Sequence, residues 1–169
     1  MMTNILKLNR LENQQIYCNA TAYNLSEQLC ECLLQFENVW ETKSIEIETE
    51  IAEDVMITAD EELLYLVWNN LLSNAFKFTP EGGKLCVSIE KTQRQQVTVR
   101  IRNVGVGIAK EELPFLFERF YKSDKSRGMD KEGTGLGLYI AKMLVNLNNG
   151  EIGVTSEVGQ YTEFYFTLD

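Results

Sequence analysis

Histidine is absent from the 169 residues, which removes Ser-His and Cys-His nucleophile pairs, histidine-ligated metal and phosphohistidine from the chemistry this chain can carry by itself. No apolar run approaches the roughly 18 residues needed to cross a bilayer; the longest candidates, 63–68 and 143–145, are short. The opening Met1-Met2-Thr3-Asn4 has no basic stretch leading into an apolar one, so no secretory signal is read and a cytoplasmic location is expected. Cysteine is sparse. Cys18, Cys30, Cys32 and Cys86 are irregularly spaced, and Cys30-Glu31-Cys32 is a lone CxC without histidines or a second pair, so buried reduced thiols are expected in preference to a metal site. Positive charge is also in deficit. A formal net charge of −9 opposes binding to nucleic acid or to an anionic membrane surface, since both require a positive footprint, and any phosphate ligand must then be held by a local site.

What is present suits one ordinary domain: apolar residues make up 44% of the chain and charged residues 24%, the balance of a soluble globular protein able to bury a core. Ile5, Leu6, Leu8 and Leu11 recur near helical spacing in a segment too short to be stable alone, which reads as the end of a helix whose partner lies elsewhere. Asn24 followed by Glu27 has the form of a capping box, opening one helix that carries Leu29, Leu33, Phe36 and Trp40 and ends near Lys43. Residues 44–51 alternate isoleucine and threonine with Glu46, Glu48 and Glu50, and 55–58 form a second short apolar run, so two strands with one wet face are expected. Asp60 then caps a helix with Leu63, Leu64, Val67, Leu71, Leu72 and Ala75 on one broad face, stopped near Pro80-Glu81-Gly82-Gly83. Strands at 85–90 and 97–101 form an antiparallel hairpin. Residues 110–132 mix Phe115, Phe117, Phe120 and Tyr121 with a charged run and read as an anchored mobile loop. Gly133-Thr134-Gly135-Leu136-Gly137 opens the last helix, and strands at 151–155 and 163–168 close the chain around Glu157-Val158-Gly159. The expected fold is an α/β two-layer sandwich, a mixed sheet with helices on one face.

Two glycine clusters flank a loop with basic residues, an arrangement suited to phosphate because glycine lets backbone N–H groups approach an anion and a following helix adds its positive end. GTGLGL is neither a P-loop, having no GK[ST], nor a dinucleotide fingerprint. On the central helix Asn70, Asn74 and Lys77 fall at i, i+4 and i+7 and share one face. A polar helix face is often merely solvated, but an Asn oxygen is also a suitable ligand for Mg²⁺ and a Lys one turn on can offset phosphate charge. Ser123, Ser126 and Thr134 have no base beside them in sequence, so none is assigned as a nucleophile.

Taken together, NNLLSNAFKFTP at 69–80, NVGVGI at 103–108, LFERFYKSDKSR at 116–127 and GTGLGLYIAK at 133–142 stand in fixed order over nearly the whole chain. Each alone is modest. In this order they resemble the N box, first glycine box, F box and second glycine box of the ATP-binding catalytic domain of sensor histidine kinases, in the superfamily shared with gyrase, the MutL repair proteins and a class of heat-shock chaperones. The resemblance implies that Asn74 coordinates a Mg²⁺ bridging the phosphates of ATP, with Asn70 beside it, Lys77 on phosphate and Phe78 lining the pocket. It implies that Gly105 and Gly107 pass close to the base, that Phe117 and Phe120 clamp the base of a lid at about 119–134, and that Lys122 reaches phosphate. Gly133, Gly135 and Gly137, with Thr134 and Leu136 between them, would form the phosphate-side hinge, Thr134 serving as a helix-start residue, and Thr162, in GQYTEF, would support the adenine pocket.

Three positions depart from the family pattern. Asn103 replaces an aspartate that accepts from the adenine amino group; its amide oxygen can still accept, with a weaker bond than a carboxylate makes. Lys122 stands where arginine is frequent, and Tyr161 replaces a small residue before Thr162. The resemblance implies transfer of the ATP γ-phosphoryl to a histidine absent from this chain, aided by positioning and by charge neutralisation from Mg²⁺. Residues 1–16 would be the end of a dimerisation and phosphoacceptor helix, and 17–169 the catalytic domain. The implied partners are the upstream phosphoacceptor domain and a response regulator, with no nucleic acid and no direct membrane contact by this fragment; the full-length protein would be a membrane-anchored homodimer. The competing readings are a stand-alone ATPase or protein serine kinase of the same superfamily, and a non-catalytic docking module that senses nucleotide. In the ATPases a glutamate at the place of Asn70 activates water as a general base, which an amide cannot do.

Overall fold

The structure, a computed structural model, describes residues 18–118 and 137–169. It opens with β1 (Thr21–Asn24), a four-residue strand without an audible sequence signal. Asn24 accepts from the Glu27 N–H at 3.1 Å and caps α1 (Leu25–Leu34) as its sequence position predicts. The single helix expected through Lys43 is in fact two, because Phe36 leaves the helical region (φ −98°, ψ 10°) before α2 (Glu37–Thr42). The bend has a tertiary cause: it carries Phe36 and Trp40 onto Phe76, with ring centroids 5.1 and 6.2 Å apart. Ser44 takes a left-handed conformation (φ 54°) and turns the chain, so β2 (Glu46–Ile51) begins two residues later than the alternation suggests.

The remaining described elements are β3 (Met56–Ala59), α3 (Glu61–Phe78), β4 (Lys84–Lys91), β5 (Val97–Val104), a single 3₁₀ turn at Leu113–Phe115, α4 (Gly137–Leu147), β6 (Glu151–Glu157) and β7 (Tyr161–Leu168). β1 and β3 pair antiparallel as a small separate sheet. The main sheet has the order β2-β4-β5-β7-β6, with β2 and β4 parallel and the other pairs antiparallel, which makes it the mixed sheet expected. The last hairpin extends further than predicted, pairing Glu157 with Tyr161, so that only Val158, Gly159 and Gln160 form its loop. Gly159 supplies the positive φ (78°) that so short a connection needs.

Leu85, Val87 and Ile89 on β4, Val99 and Ile101 on β5, and Phe164, Phe166 and Leu168 on β7 form the inner face of the sheet. They pack against Leu64, Val67, Trp68, Leu71, Leu72 and Ala75 of α3 and Ile140, Ala141, Leu144 and Val145 of α4. Burying each large apolar side chain contributes about 2 kcal/mol before entropy is counted. The opposite face is polar: Arg100 meets Glu90 at 3.3 Å, and the Arg102 guanidinium lies 3.9 Å from the Tyr161 ring centroid.

A buried polar knot joins the two central helices. Asp60 caps α3 by accepting from the Leu63 N–H at 3.0 Å, and its other oxygen accepts from the Asn19 N–H at 2.7 Å. The Asp60 N–H in turn donates to Asn148 Oδ1 at 2.7 Å, while Asn148 Nδ2 donates to the Leu144 carbonyl at 2.9 Å. The start of α3 is thereby tied to the end of α4. The cysteines depart from expectation: Cys32 is buried and Cys86 half-buried, but Cys18, which precedes β1, and Cys30, on α1, are exposed.

Replacing Asn148 by Ala strands the Asp60 N–H and the Leu144 carbonyl and should lower stability by about 2 kcal/mol, read as a shifted urea midpoint; an unchanged midpoint would show that water replaces the amide without cost. Alkaline pH should also weaken the fold. Burial pushes the Cys32 thiol up from 9.0 to about 12 and raises the Tyr23 phenol above its ordinary 10.0. Both groups are neutral on either side of the folding equilibrium below pH 9, so this contribution is constant there; above it the unfolded chain loses protons first. Stability should therefore decline from about pH 9 upward as Cys32 and Tyr23 titrate, and Cys32→Ala should blunt that decline.

Candidate functional site

The apolar stripe of α3 is committed to the core, so its remaining face is left at the rim of the sheet, where Asn70, Asn74, Lys77 and Phe78 are all half-buried. Asn70 carries the strongest signal. Its Nδ2 is buried and, among the described residues, is the one buried side-chain nitrogen or oxygen without a hydrogen-bond partner. An unmatched buried donor costs about 1–3 kcal/mol, a cost that an acceptor on a ligand would relieve. The other end of the same amide faces Gly137, where an added Cβ would lie 3.7 Å from Asn70 Oδ1. Gly137 is the first described residue of α4, so the N-terminal side of that helix, the side of its positive partial charge, stands against Asn70. Lys77 holds its ammonium 5.9 Å from the Phe78 ring centroid at the C-terminal end of α3. That helix end is fastened by Lys43, whose ammonium donates to the Phe76 carbonyl at 2.9 Å.

A second wall comes from the sheet. Register places Leu85, Asn103, Thr162 and Ser156 side by side across β4, β5, β7 and β6. Asn103 and Thr162 are only 3% and 6% exposed, so two polar side chains sit within an otherwise apolar inner face. Ser156 was not singled out by sequence reasoning, which ended its strand at Thr155, two residues early. It accepts from the Ile108 N–H at 2.7 Å, donates to the Tyr161 carbonyl at 2.7 Å and lies 3.1 Å from Thr162 Oγ1. The only signal available was parity, since Ile152, Val154 and Ser156 share one face of an alternating strand.

The glycine loop after β5 is stitched to the β6–β7 turn. Gly105 N–H donates to the Gln160 carbonyl at 3.1 Å, Gly159 N–H donates to the Val106 carbonyl at 2.7 Å, and the Ile108 bond to Ser156 completes the seam. Gly107 is required on two counts: its φ is +71°, and an added Cβ would lie 2.4 Å from the Glu157 carbonyl oxygen. Gly105 approaches the end of α3, its Cβ position 3.4 Å from the Phe78 carbonyl and 3.6 Å from Asn103 Nδ2. Phe78, Gly105, Asn103 and Thr162 are thus neighbours, and Asn70 with Gly137 forms a second group beside them on α3. Phe117 packs edge-on against Phe164, with centroids 6.0 Å apart, and Lys142 lies 5.7 Å from the Phe117 ring centroid. The chain entering residue 119 is therefore anchored to the core. Phe120, Lys122, Gly133, Thr134, Gly135 and Leu136 lie outside the described residues, as do the segments expected to form a lid at about 119–134 and a helix end at 1–16.

This geometry has close counterparts. The family model described as histidine kinase-, DNA gyrase B- and HSP90-like ATPase matches residues 59–169. The adaptive-response sensory kinase SasA of Gloeothece citriformis is 37% identical over 99% of this chain, which spans 42% of that relative's length. Among solved structures, the catalytic domain of histidine kinase ThkA superposes with a TM-score of 0.78 at 28% identity, covering 89% of this chain and 95% of that one. Full-length ShkA in complex with AMPPNP gives a TM-score of 0.82 at 27% identity, covering 97% of this chain and 34% of that one. With the matched family model spanning α3, the glycine loop, α4 and the closing hairpin, the chain belongs to the histidine kinase-, DNA gyrase B- and HSP90-like ATPase family.

Proposed function

We propose that this chain is the ATP-binding catalytic domain of a sensor histidine kinase and that it transfers the γ-phosphoryl of ATP to a histidine outside its own 169 residues, none of which is histidine. The observation that carries the reading is the unmatched buried amide of Asn70, held against the N-terminal side of α4 and one turn before Asn74. That corner offers hydrogen-bond donors and positive helix-end potential to an anion in a chain of net charge −9, as triphosphate requires. The AMPPNP held by the ShkA relative supports assigning the ligand as ATP. Asn103 and Thr162 would receive the base edge, and Phe78 and Gly105 would border it.

The residues present fit Mg²⁺ in a particular way. Among the described residues no group of three or more His, Cys, Asp or Glu could hold a metal, so the ion would take most of its ligands from phosphate and water, with the Asn74 amide oxygen as its protein ligand. When bound, Mg²⁺ neutralises charge on the transferring phosphoryl group. Asn70 would donate to phosphate through its free Nδ2. Being an amide, it cannot serve as the general base for water that the ATPases of the superfamily need, which favours transfer to a protein acceptor over hydrolysis. We further propose that its partners are an upstream dimerisation and phosphoacceptor domain and a response regulator, in a membrane-anchored homodimer with this domain on the cytoplasmic side; a longer parent protein is supported by the sensory kinase SasA, of whose length this chain spans 42%.

Calorimetric titration with a non-hydrolysable ATP analogue should show Mg²⁺-dependent binding, preference over the GTP analogue, and loss of the Mg²⁺-dependent part in Asn74→Ala. With Mg²⁺-ATP the purified chain should label a supplied histidine-bearing phosphoacceptor domain while hydrolysing ATP slowly. Rapid hydrolysis without transfer would point to the ATPase reading, and absence of nucleotide binding to a docking module.

A further inference from the structure

Hydrogen bonds to Ser156 fix more than a loop position. Its hydroxyl has one proton and two lone pairs. The Tyr161 carbonyl 2.7 Å away can only accept, so the Ser156 proton is committed to it; the Ile108 N–H at 2.7 Å can only donate, so one lone pair is committed as well. What remains for Thr162 Oγ1 at 3.1 Å is the second lone pair, which requires the Thr162 hydroxyl to donate to Ser156. Thr162 can then offer its surroundings only lone pairs. Ser156 thus converts a rotor that could either donate or accept into an acceptor.

Resting on the nucleotide reading above, we propose that Ser156 is a positioning residue for base selection: by holding the Thr162 proton it presents an acceptor to the base edge and selects purines with an amino group at C6 over those with a carbonyl there. Asn103 cannot make that choice alone. A carboxylate only accepts, whereas the Asn103 amide can turn over and present either its oxygen or its NH₂, meeting an amino group or a carbonyl equally well. Asn103 and Thr162 are directly paired across β5 and β7, so the two groups would address the same edge, one ambivalent and one fixed. The selectivity this chain has for adenine therefore passes from position 103 to the pair Ser156–Thr162.

The test is a set of calorimetric titrations with ADP and inosine diphosphate, which differ at C6 and N1, on the wild-type chain, Ser156→Ala, Ser156→Thr, Thr162→Val and the Ser156→Ala/Thr162→Val double variant, with folding checked by circular dichroism. The preference for ADP should fall about five- to tenfold in Ser156→Ala, the scale of one hydrogen bond, and survive in Ser156→Thr, which keeps the hydroxyl. In the Thr162→Val background the Ser156 substitution should have no further effect on the ratio. Should Ser156→Ala fail to fold, Thr162→Val decides, since loss of the pinned hydroxyl must flatten the ratio by itself. Equal weakening of both nucleotides in Ser156→Ala, or an unchanged ratio in Thr162→Val, overturns the proposal while leaving the nucleotide site intact. Failure of the wild-type chain to bind ADP overturns both.

Discussion

The indole of Trp68 joins three parts of the molecule at once. Its ring meets Phe166 of β7 edge-on, with centroids 5.1 Å apart, and its N–H donates at 2.8 Å to Gln28 of α1, whose side-chain oxygen also accepts from the Tyr23 hydroxyl at 2.8 Å. A fully buried tryptophan must place its N–H, and here the acceptor comes from another helix, so packing and hydrogen bonding set the same rotation of α3. Once that rotation is set, helical periodicity leaves Asn70, Asn74 and Lys77 no choice of direction. They face away from the apolar stripe, with Asn70 set against Gly137 of α4. The polar face of the helix is thus placed by its apolar one, and the accuracy of the site is inherited from the core.

The seam between the glycine loop and the β6–β7 turn acts similarly at the other wall. Two backbone–backbone hydrogen bonds, the bond from the Ile108 N–H to the Ser156 hydroxyl and the close approach at Gly107 hold loop to turn, so the loop has little freedom to retreat from the site. A ligand entering between Phe78 and Thr162 would find donors and acceptors already oriented, which limits the ordering cost of binding.

Much of the architecture was legible because it is local. The Asp60 cap, the α3 stripe, the β4–β5 hairpin and the Asn24 cap rest on periodicity and turn chemistry within a few residues. What escaped the sequence is non-local. β1 is four residues whose strand character comes from pairing with β3, more than thirty positions away, and α1 and α2 are separate because of aromatic stacking on Phe76. In the site, Asn70, Asn74, Lys77 and the glycines could be found by spacing, since helix and turn geometry convert spacing into direction. Asn103 and Thr162 needed the family resemblance, and Ser156 needed the register of the sheet, because a lone serine in a strand says nothing about what lies two strands over. The exposed Cys18 and Cys30 were misjudged from residue type, which predicts average burial and not the side of an element.

The sheet has two ends, and its order leaves β2 on one of them. Along that strand Glu46, Glu48 and Glu50 recur at every second residue, all exposed, and among the described residues no further strand pairs with its outer side. A second copy adding its own β2 there would bring two rows of carboxylates together at the spacing of neighbouring strands, where like charges repel. The same glutamates that supplied the wet half of an alternating pattern, with Glu48 partly offset by Lys84 at 2.8 Å, therefore disfavour edge-to-edge pairing at this strand.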